Sequence, residues 1–180
     1  MINAMKNVVL YIAMSLDGYI ADSQKSVNWI QGHGYVSEMV DTYSAFFETV
    51  DTVLMGRYTY EQITTELSPD KWGYEGATTY VFTHTPAPDA NNIKFINADP
   101  CQLIRKLKGE SGKNIWICGG ADLINQVLKE NLIDIFHIAI IPTLLGGGVK
   151  LFDKIGDTIN LRLLKTLNYN GIIEAVYERR

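Results

Sequence analysis

The sequence predicts an α/β fold in which helices cover a mostly parallel sheet that ends in an antiparallel hairpin. Two observations support this prediction. Short apolar segments rich in β-branched residues alternate along the chain with segments whose apolar residues recur every three or four positions. Near the C-terminus, two extended runs are separated by Asn170-Gly171, a strong signal for a tight turn.

Three strands and two helices are predicted for the first half of the chain. In order, they are a strand at 8–14, a helix at 36–50, a strand at 51–55, a helix at 57–67 and a strand at 78–83. The first helix is predicted from apolar residues with helical spacing, namely Val36, Met39, Val40, Tyr43, Phe46, Phe47 and Val50. Pro86 and Pro88 prevent the third strand from continuing.

The second half begins with Asp99-Pro100, an N-cap followed by proline at the first helical position. The elements predicted after it are a helix ending at Gly109, a strand at 115–118, a helix at 121–129, a strand at 133–141 and the hairpin strands 161–169 and 172–178. With no internal repeat, linker or low-complexity stretch, residues 1–180 are expected to form a single domain.

Composition and charge exclude several classes of function. Charged residues make up 20% of the chain and the net charge is −4, which argues against a disordered tail, a coiled coil or a nucleic-acid partner. No apolar run approaches the roughly 20 residues that span a bilayer, so no membrane partner is expected. The two cysteines, Cys101 and Cys118, lack C-x-x-C spacing and fit a reducing compartment. We therefore expect a cytoplasmic protein.

Three junctions after predicted strands carry the chemistry expected of a binding site. They are Met55–Thr59, Thr83–Thr85 and Cys118–Asp122. In an open α/β sheet, ligands bind beyond the carboxyl ends of the strands, where glycine and helix N-termini can hold a phosphate. Each glycine alone is more often a tight turn, but three such junctions in register favour phosphate binding. The fingerprints of Rossmann and P-loop sites are both missing.

The charges at these junctions favour NADPH over NADH. Arg57 beside Thr83–Thr85 would complement a ribose 2′-phosphate, and the carboxylate that usually contacts the NAD ribose is missing. The alternative is that Arg57 is a surface residue neutralised by Glu61 and that His84 is an exposed loop residue.

Other candidate groups carry weaker signals. His33 and His137 lack the spacing of metal ligands, so no metal is expected, and His137 is interpreted as a packed strand residue. Neither Ser15 nor Ser44 lies in G-x-S-x-G, so a hydrolytic serine has no support.

The order of these motifs resembles the dihydrofolate reductase superfamily, in particular the reductase domain of the riboflavin-biosynthesis deaminase-reductase and its stand-alone relatives. The resemblance runs from Val8 to the hairpin and implies a dihydrofolate reductase-like three-layer α/β/α fold. It is carried by Ala13–Ala21, by Met55-Gly56-Arg57-x-Thr59, by Thr83-His84, by Gly119–Leu123 and by Pro142-x-Leu144-Leu145-Gly146-Gly147-Gly148.

The resemblance implies which residues hold the cofactor NADPH. Ala13 and Ile20 would bind the nicotinamide carboxamide through their backbone. Together with the three junctions, the expected set is Ala13, Ile20, Gly56, Arg57, Tyr58, Thr59, Thr83, His84, Thr85, Gly119, Gly120, Ala121, Asp122 and Leu123.

The sequence lacks a clear substrate-binding motif of either dihydrofolate reductases or riboflavin-type reductases. Tyr43 falls where dihydrofolate reductases carry a buried carboxylate, and Asp41 lies away from the apolar stripe. Phe46-Phe47 falls where riboflavin-type reductases carry a phosphate-binding basic segment. Trp29, Tyr43 and Phe47 are expected to line the substrate pocket, although each could equally belong to the core. The proton donor is left open.

The expected function is that of an NADPH-dependent reductase. It would transfer a hydride to a small heterocyclic or ribosylamino-pyrimidine substrate, resembling 5-amino-6-(5-phosphoribosylamino)uracil reductase of riboflavin biosynthesis. The alternatives are dihydrofolate reductase-type activity, a non-catalytic nucleotide-binding module, or an interaction protein. The interaction protein would be a dimer that packs through the C-terminal hairpin, and a homodimer is an open alternative for the reductase as well.

Overall fold

A computed structural model describes residues 5–34, 37, 39–153 and 156–180. Its strands are β1 (Val8–Ser15), β2 (Tyr19–Ala21), β3 (Val50–Gly56), β4 (Thr78–Phe82), β5 (Ile93–Ile96), β6 (Asn114–Gly119), β7 (Ile135–Ile141), β8 (Val149–Lys150), β9 (Leu161–Tyr169) and β10 (Ile172–Arg179). Its helices are α1 (Tyr43–Phe47), α2 (Arg57–Gln62), α3 (Pro100–Lys108) and α4 (Ala121–Lys129). A π-helical turn (Ile63–Leu67) continues α2.

Eight of these strands form one sheet in the order β5-β4-β3-β6-β1-β7-β10-β9. β1 pairs in parallel with β6 and β7, and β3 pairs in parallel with β4 and β6. β10 runs antiparallel to both of its neighbours, because it returns through the tight turn at Asn170-Gly171. The predicted fold class, a mostly parallel sheet with an antiparallel C-terminal hairpin, is confirmed.

Helices cover both faces of the sheet, which gives three layers. Leu10 and Leu54 contribute to an apolar cluster shared with α3 and α4, and both side chains are fully buried. Val53 and Trp116 belong to a second cluster on the opposite face, together with aromatic residues of α1 and α2. The carboxyl ends of the central strands stay uncovered, and the candidate site lies there.

The helix predicted at 36–50 is much shorter than the periodicity indicates. It comprises only Tyr43–Phe47, while Met39 and Val40 are exposed outside any helix, and Val36 lies outside the described residues. The Asp41 carboxylate accepts hydrogen bonds from the Ser44 backbone N–H and hydroxyl, which fixes the turn directly before the helix.

Three short strands, β2, β5 and β8, were not predicted. β5 is an edge strand beside β4, and β2 pairs with β8 in a separate two-stranded sheet. Among the described residues, no helix is long and apolar enough to cross a lipid bilayer.

Candidate functional site

A cleft of about 760 Å³ opens at the carboxyl ends of β3, β4 and β6, and we call it the main cleft. All three junctions singled out in the sequence contribute to its wall. The expected cofactor residues that line it are Ala13, Ile20, Gly56, Arg57, Tyr58, Thr59, Thr83, His84, Gly119, Gly120, Ala121, Asp122 and Leu123. The structure therefore brings together residues that are more than 100 positions apart in the chain.

Thr85 is the expected cofactor residue that does not line the main cleft. It is exposed, and its backbone N–H donates to the hydroxyl of Thr83 at 3.1 Å. The same hydroxyl lies 3.1 Å from the carbonyl oxygen of Thr85. These bonds stabilise the turn that follows β4.

Two helices begin at the main cleft without a side-chain cap. The N-cap residues of α2 and α4 are Gly56 and Gly120, and neither offers a side chain to the first-turn N–H groups. In contrast, the Asp99 carboxylate caps α3 by accepting from the N–H groups of Cys101 and Gln102. Uncapped N–H groups carry the positive end of the helix dipole, which makes the two bare N-termini suitable for an anion.

The glycine backbone at the start of α4 lies close to the Thr59 side chain at the start of α2. A Cβ atom on Gly120 would lie 3.5 Å from the Thr59 hydroxyl oxygen, and one on Gly119 would lie 3.6 Å from the same atom. Gly119 has a φ of 145°, which side-chain-bearing residues rarely adopt. The peptide bond between Gly119 and Gly120 is cis. Glycine at both positions leaves the backbone open to a bound group.

Cationic side chains border the main cleft. Arg57 Nε lies 2.7 Å from the Glu61 carboxylate, and the guanidinium lies over the Phe95 ring at 5.3 Å. Lys25, which the sequence did not single out, places its amino group 4.9 Å from the centre of the Tyr58 ring. The Arg57–Glu61 pair is solvent-exposed, and such pairs contribute at most about 1 kcal/mol, so a phosphate could replace Glu61 as the partner.

The inner wall of the main cleft is uncharged. Burial raises the pKa of the Cys118 thiol to about 12, and it also raises the pKa of the Tyr74 hydroxyl. The two groups are in contact, with the Tyr74 oxygen 3.7 Å from the Cys118 sulfur. Both side chains therefore keep their protons at neutral pH.

A second cavity of about 440 Å³ adjoins the main cleft, and Ile12, Ala13 and Ile30 line both. Its polar wall is formed by neighbouring strands of the sheet. His137 on β7 lies opposite Tyr11 on β1 in the strand register, and Ala139 lies opposite both Ala13 and Glu174. The polar side chains of this cavity thus stand directly beside the part of β1 that the main cleft shares.

Glu174 is the centre of a hydrogen-bond network in the second cavity. It is 3% exposed and accepts from the Thr42 hydroxyl at 2.6 Å and from the Tyr169 hydroxyl. Its other carboxylate oxygen lies 2.7 Å from His137 Nε2. Because Thr42 donates to Glu174, the Tyr11 hydroxyl donates to Thr42 across 3.1 Å.

This network fixes the protonation of its members. Burial alone would raise the pKa of Glu174, but hydrogen bonds from His137, Thr42 and Tyr169 outweigh it and lower the pKa to about 2. Burial raises the pKa of Tyr169 to about 12. Glu174 is therefore an ionised acceptor, and the proton in its bond to His137 belongs to Nε2.

The chain matches known proteins over nearly its whole length. The family model of the RibD C-terminal domain matches residues 6–173. The chain therefore belongs to the RibD C-terminal domain family. The uncharacterized protein YwjB of Bacillus subtilis is 41% identical over 175 residues, which are 97% of this chain and 98% of YwjB.

Solved structures also resemble this chain, including two that match nearly its whole length. A protein from Shewanella sp. PV-4, named for riboflavin biosynthesis, has a TM-score of 0.81 and 29% identity, covering 97% of this chain and 99% of that one. Dihydrofolate reductase from Enterococcus faecalis, complexed with NADP(H), has a TM-score of 0.66 and 16% identity, covering 97% and 96%. The resemblance in fold stated from the sequence is confirmed.

The three residues expected to line the substrate pocket lie outside both cavities. Trp29, Tyr43 and Phe47 line neither the main cleft nor the second cavity. The rings of Tyr43 and Phe47 stack 5.6 Å apart and pack against Trp116. The indole N–H of Trp29 donates to the Ser26 carbonyl at 3.1 Å. Tyr43 and Phe47 thus belong to the aromatic cluster on one face of the sheet.

His137 is a packed strand residue, as interpreted from the sequence, and it has a further role in the second cavity. His137 is half-buried on β7, but its ring lines the second cavity and contacts Glu174. Glu174 carried a usable signal, because it shares the alternation of the apolar residues Ile172 and Val176 on this strand. A carboxylate at such a position needs a partner.

Proposed function

We propose that the protein is an NADPH-dependent reductase of a small heterocyclic or ribosylamino-pyrimidine substrate. The observation that carries this proposal is the meeting of two uncapped helix N-termini in a cleft that adjoins a second cavity with an acid–base network. The family supports a reductase of the riboflavin-biosynthesis type.

The residues of the main cleft fit a phosphorylated dinucleotide. The bare N–H groups at the start of α4 would hold the pyrophosphate, and the missing side chain at Gly120 leaves room for it. Lys25, Arg57 and Thr83 would bind the 2′-phosphate, while Ala13 would contact the nicotinamide. NADPH, when bound, supplies a hydride to an electrophilic carbon.

The second cavity is proposed to hold the substrate. It shares Ile12, Ala13 and Ile30 with the main cleft, so a ring bound there lies next to the expected nicotinamide position. These apolar side chains would exclude water and orient a planar ring. None of the described residues lining this cavity is a lysine or arginine, which favours recognition of the ring over recognition of a phosphate.

A dihydrofolate-type substrate is the second candidate. The observation in its favour is the ionised Glu174 carboxylate in the wall of the second cavity, because a carboxylate can accept hydrogen bonds from ring N–H groups. Its three present partners would then share it with the ligand.

We propose the cytoplasm as the compartment, in keeping with the two free cysteines, Cys101 and Cys118.

Calorimetry with NADPH, followed by NADPH oxidation assays, tests the proposal. The assays use 5-amino-6-(5-phosphoribosylamino)uracil and dihydrofolate as separate substrates. We expect binding of NADPH and measurable oxidation with at least one of them. Binding without oxidation would assign a nucleotide-binding module instead, and no binding of NADPH would contradict the proposal entirely.

A further inference from the structure

We infer that His137 is the proton donor of the reduction and that Glu174 is the residue that positions it. The inference rests on the proposed reductase function and adds the group that balances the hydride. Reduction of a carbon–nitrogen double bond requires one proton on nitrogen for each hydride on carbon. Among the described residues of the second cavity, His137 combines a free ring nitrogen with a fixed orientation.

The His137 ring is held at one nitrogen and free at the other. Nε2 lies 2.7 Å from Glu174 Oε2, and the ring meets the Tyr11 ring edge-on with centres 4.5 Å apart. Nδ1 has no hydrogen-bond partner among the described residues, and it is not among the side-chain atoms enclosed away from solvent. The ring therefore has one nitrogen available to a ligand in the second cavity.

Every element packed around the ring contributes to its electrostatics. Glu174 on β10 supplies the negative charge, while Tyr11 on β1 and Tyr169 on β9 supply neutral hydroxyls. Burial raises the pKa of both tyrosines, so they are poor proton donors at neutral pH. Asp41, before α1, adds a more distant negative charge near Tyr11. A protonated imidazole carries an N–H on each ring nitrogen, so it can donate one proton while the other N–H keeps its hydrogen bond.

The step balances in atoms and electrons. The hydride forms a C–H bond at the substrate carbon, and the π electrons of the C=N bond move to nitrogen. That nitrogen forms an N–H bond with the proton leaving Nδ1 of the His137 imidazolium. His137 is left neutral and keeps its Nε2 proton, which it donates in a hydrogen bond to the ionised Glu174; this bond holds the ring in place, and solvent restores the Nδ1 proton.

Steady-state kinetics test the inference with whichever of dihydrofolate and 5-amino-6-(5-phosphoribosylamino)uracil the wild-type protein reduces. For His137→Asn we expect kcat to fall by about 10²- to 10⁴-fold while NADPH affinity is unchanged, because only proton delivery is removed. The decline in wild-type kcat with rising pH should disappear in this variant. Added imidazole should restore part of the activity of His137→Ala. Glu174→Gln should lower kcat less, because the amide oxygen still accepts from Nε2.

Glu178→Gln is the matched control, since it removes a carboxylate from the same strand at an exposed ion pair with Arg162. It should leave kcat and its pH profile unchanged. If His137→Asn left kcat unchanged, the inference would be overturned while the proposed reductase function would stand. The same holds if the substitution changed only KM. Wild-type protein that binds NADPH but reduces neither dihydrofolate nor 5-amino-6-(5-phosphoribosylamino)uracil would refute the proposed reductase and the inference together. Failure to bind NADPH would do the same.

Nitrogen-15 NMR of the imidazole rings gives a readout that does not depend on turnover. The chain has 3 histidines, His33, His84 and His137, which single substitutions can assign. We expect neutral His137 to carry its proton on Nε2, and Glu174→Gln to weaken this preference. A proton found on Nδ1 in the neutral wild-type ring would overturn the inference, because that nitrogen must be free to exchange it.

Discussion

Gly56 and Gly120 begin two helices and lie against each other, such that a Cβ atom on Gly56 would be 3.8 Å from the backbone nitrogen of Gly120. The positive ends of the α2 and α4 dipoles therefore meet at one point of the main cleft. An anion bound there would interact with both helices at once. Asp99 neutralises the equivalent end of α3 from within the protein, so the bare ends of α2 and α4 are the ones left for a ligand.

Gly120→Val is expected to abolish NADPH binding while the protein stays folded. The backbone of Gly120 has a φ of −86°, which any residue can adopt, and a Cβ atom there makes only ordinary contact with Thr59. The valine methyl groups would occupy the space proposed for the pyrophosphate. Calorimetric NADPH titration and thermal unfolding measure the two effects separately.

Gly73→Val is the control, because Gly73 is exposed and a Cβ atom on it would contact nothing within 4 Å. It should keep both NADPH affinity and stability. If Gly120→Val lost stability but bound NADPH normally per folded molecule, Gly120 would be only a turn residue.

The sequence sufficed for the central strands and the hairpin because their signals are local. Val8–Ser15 and Asn114–Gly119 are buried on both faces of the sheet, and Asn170-Gly171 specifies its own turn. β2 and β8 have only three and two residues, and they exist through pairing between distant segments. No local pattern encodes such pairing.

In the candidate site, too, the features with a local signal could be predicted and those formed by distant segments could not. The glycines at strand ends indicated the main cleft, whereas the second cavity depends on strand order, which places β7 between β1 and β10. That order brings Glu174 to His137 across 37 positions of the chain. Tyr43 and Phe47 have a clear local signal, but they were expected in the pocket and lie in the aromatic cluster instead. Aromatic residues at helical spacing fit a core and a pocket equally well.

Thr79→Val is expected to stabilise the protein by about 1 kcal/mol. Thr79 lies fully buried in β4, and its hydroxyl has no hydrogen-bond partner among the described residues. Replacing it with a methyl group removes an unpaired polar atom from the core. Thr52→Val should have the opposite effect, because the Thr52 hydroxyl donates to Asp51 at 2.8 Å. Urea unfolding of both variants measures the free energies, and destabilisation by Thr79→Val would contradict this account.

The contribution of Glu174 to stability is expected to depend on pH. Its folded pKa of about 2 lies below the ordinary 4.5, so the ionised carboxylate stabilises the fold above about pH 4.5 and loses this effect as the pH falls through 2. The difference in unfolding free energy between wild type and Glu174→Gln should therefore shrink over this range. Glu178→Gln is the control. It removes a different carboxylate from β10, so it shows how the unfolding free energy responds to the loss of a carboxylate that is not in the network. A difference that stayed constant with pH would refute the lowered pKa.

Neither dihydrofolate nor 5-amino-6-(5-phosphoribosylamino)uracil is expected to be an efficient substrate. Phe46 stacks on Tyr11 with ring centres 4.1 Å apart, where the resemblance implies a basic segment in riboflavin-type enzymes, and Tyr43 falls where it implies a buried carboxylate in dihydrofolate reductases. Losing one charge-assisted contact costs about 1.5 to 3 kcal/mol. We expect measurable turnover with kcat/KM below about 10⁵ M⁻¹s⁻¹ for both. A higher value for either, in steady-state kinetics with NADPH, would mean that other residues read the substrate.

Arg57 is expected to supply much of the preference for NADPH over NADH. A charge-assisted phosphate contact contributes about 1.5 to 3 kcal/mol, or roughly tenfold to hundredfold in affinity. Arg57→Ala should therefore weaken NADPH binding and leave NADH binding nearly unchanged. Arg105→Ala is the matched control, because Arg105 also forms an exposed ion pair, with Glu130 at 2.6 Å, and does not line the main cleft.

Calorimetric titration of the wild-type protein with NADPH and with NADH measures the dinucleotide preference of the main cleft. The main cleft presents Arg57, Lys25 and two bare helix N-termini to an anionic dinucleotide. We therefore predict that NADPH binds about tenfold to hundredfold more tightly than NADH. Equal affinities, a preference for NADH, or no binding of either dinucleotide would contradict the account.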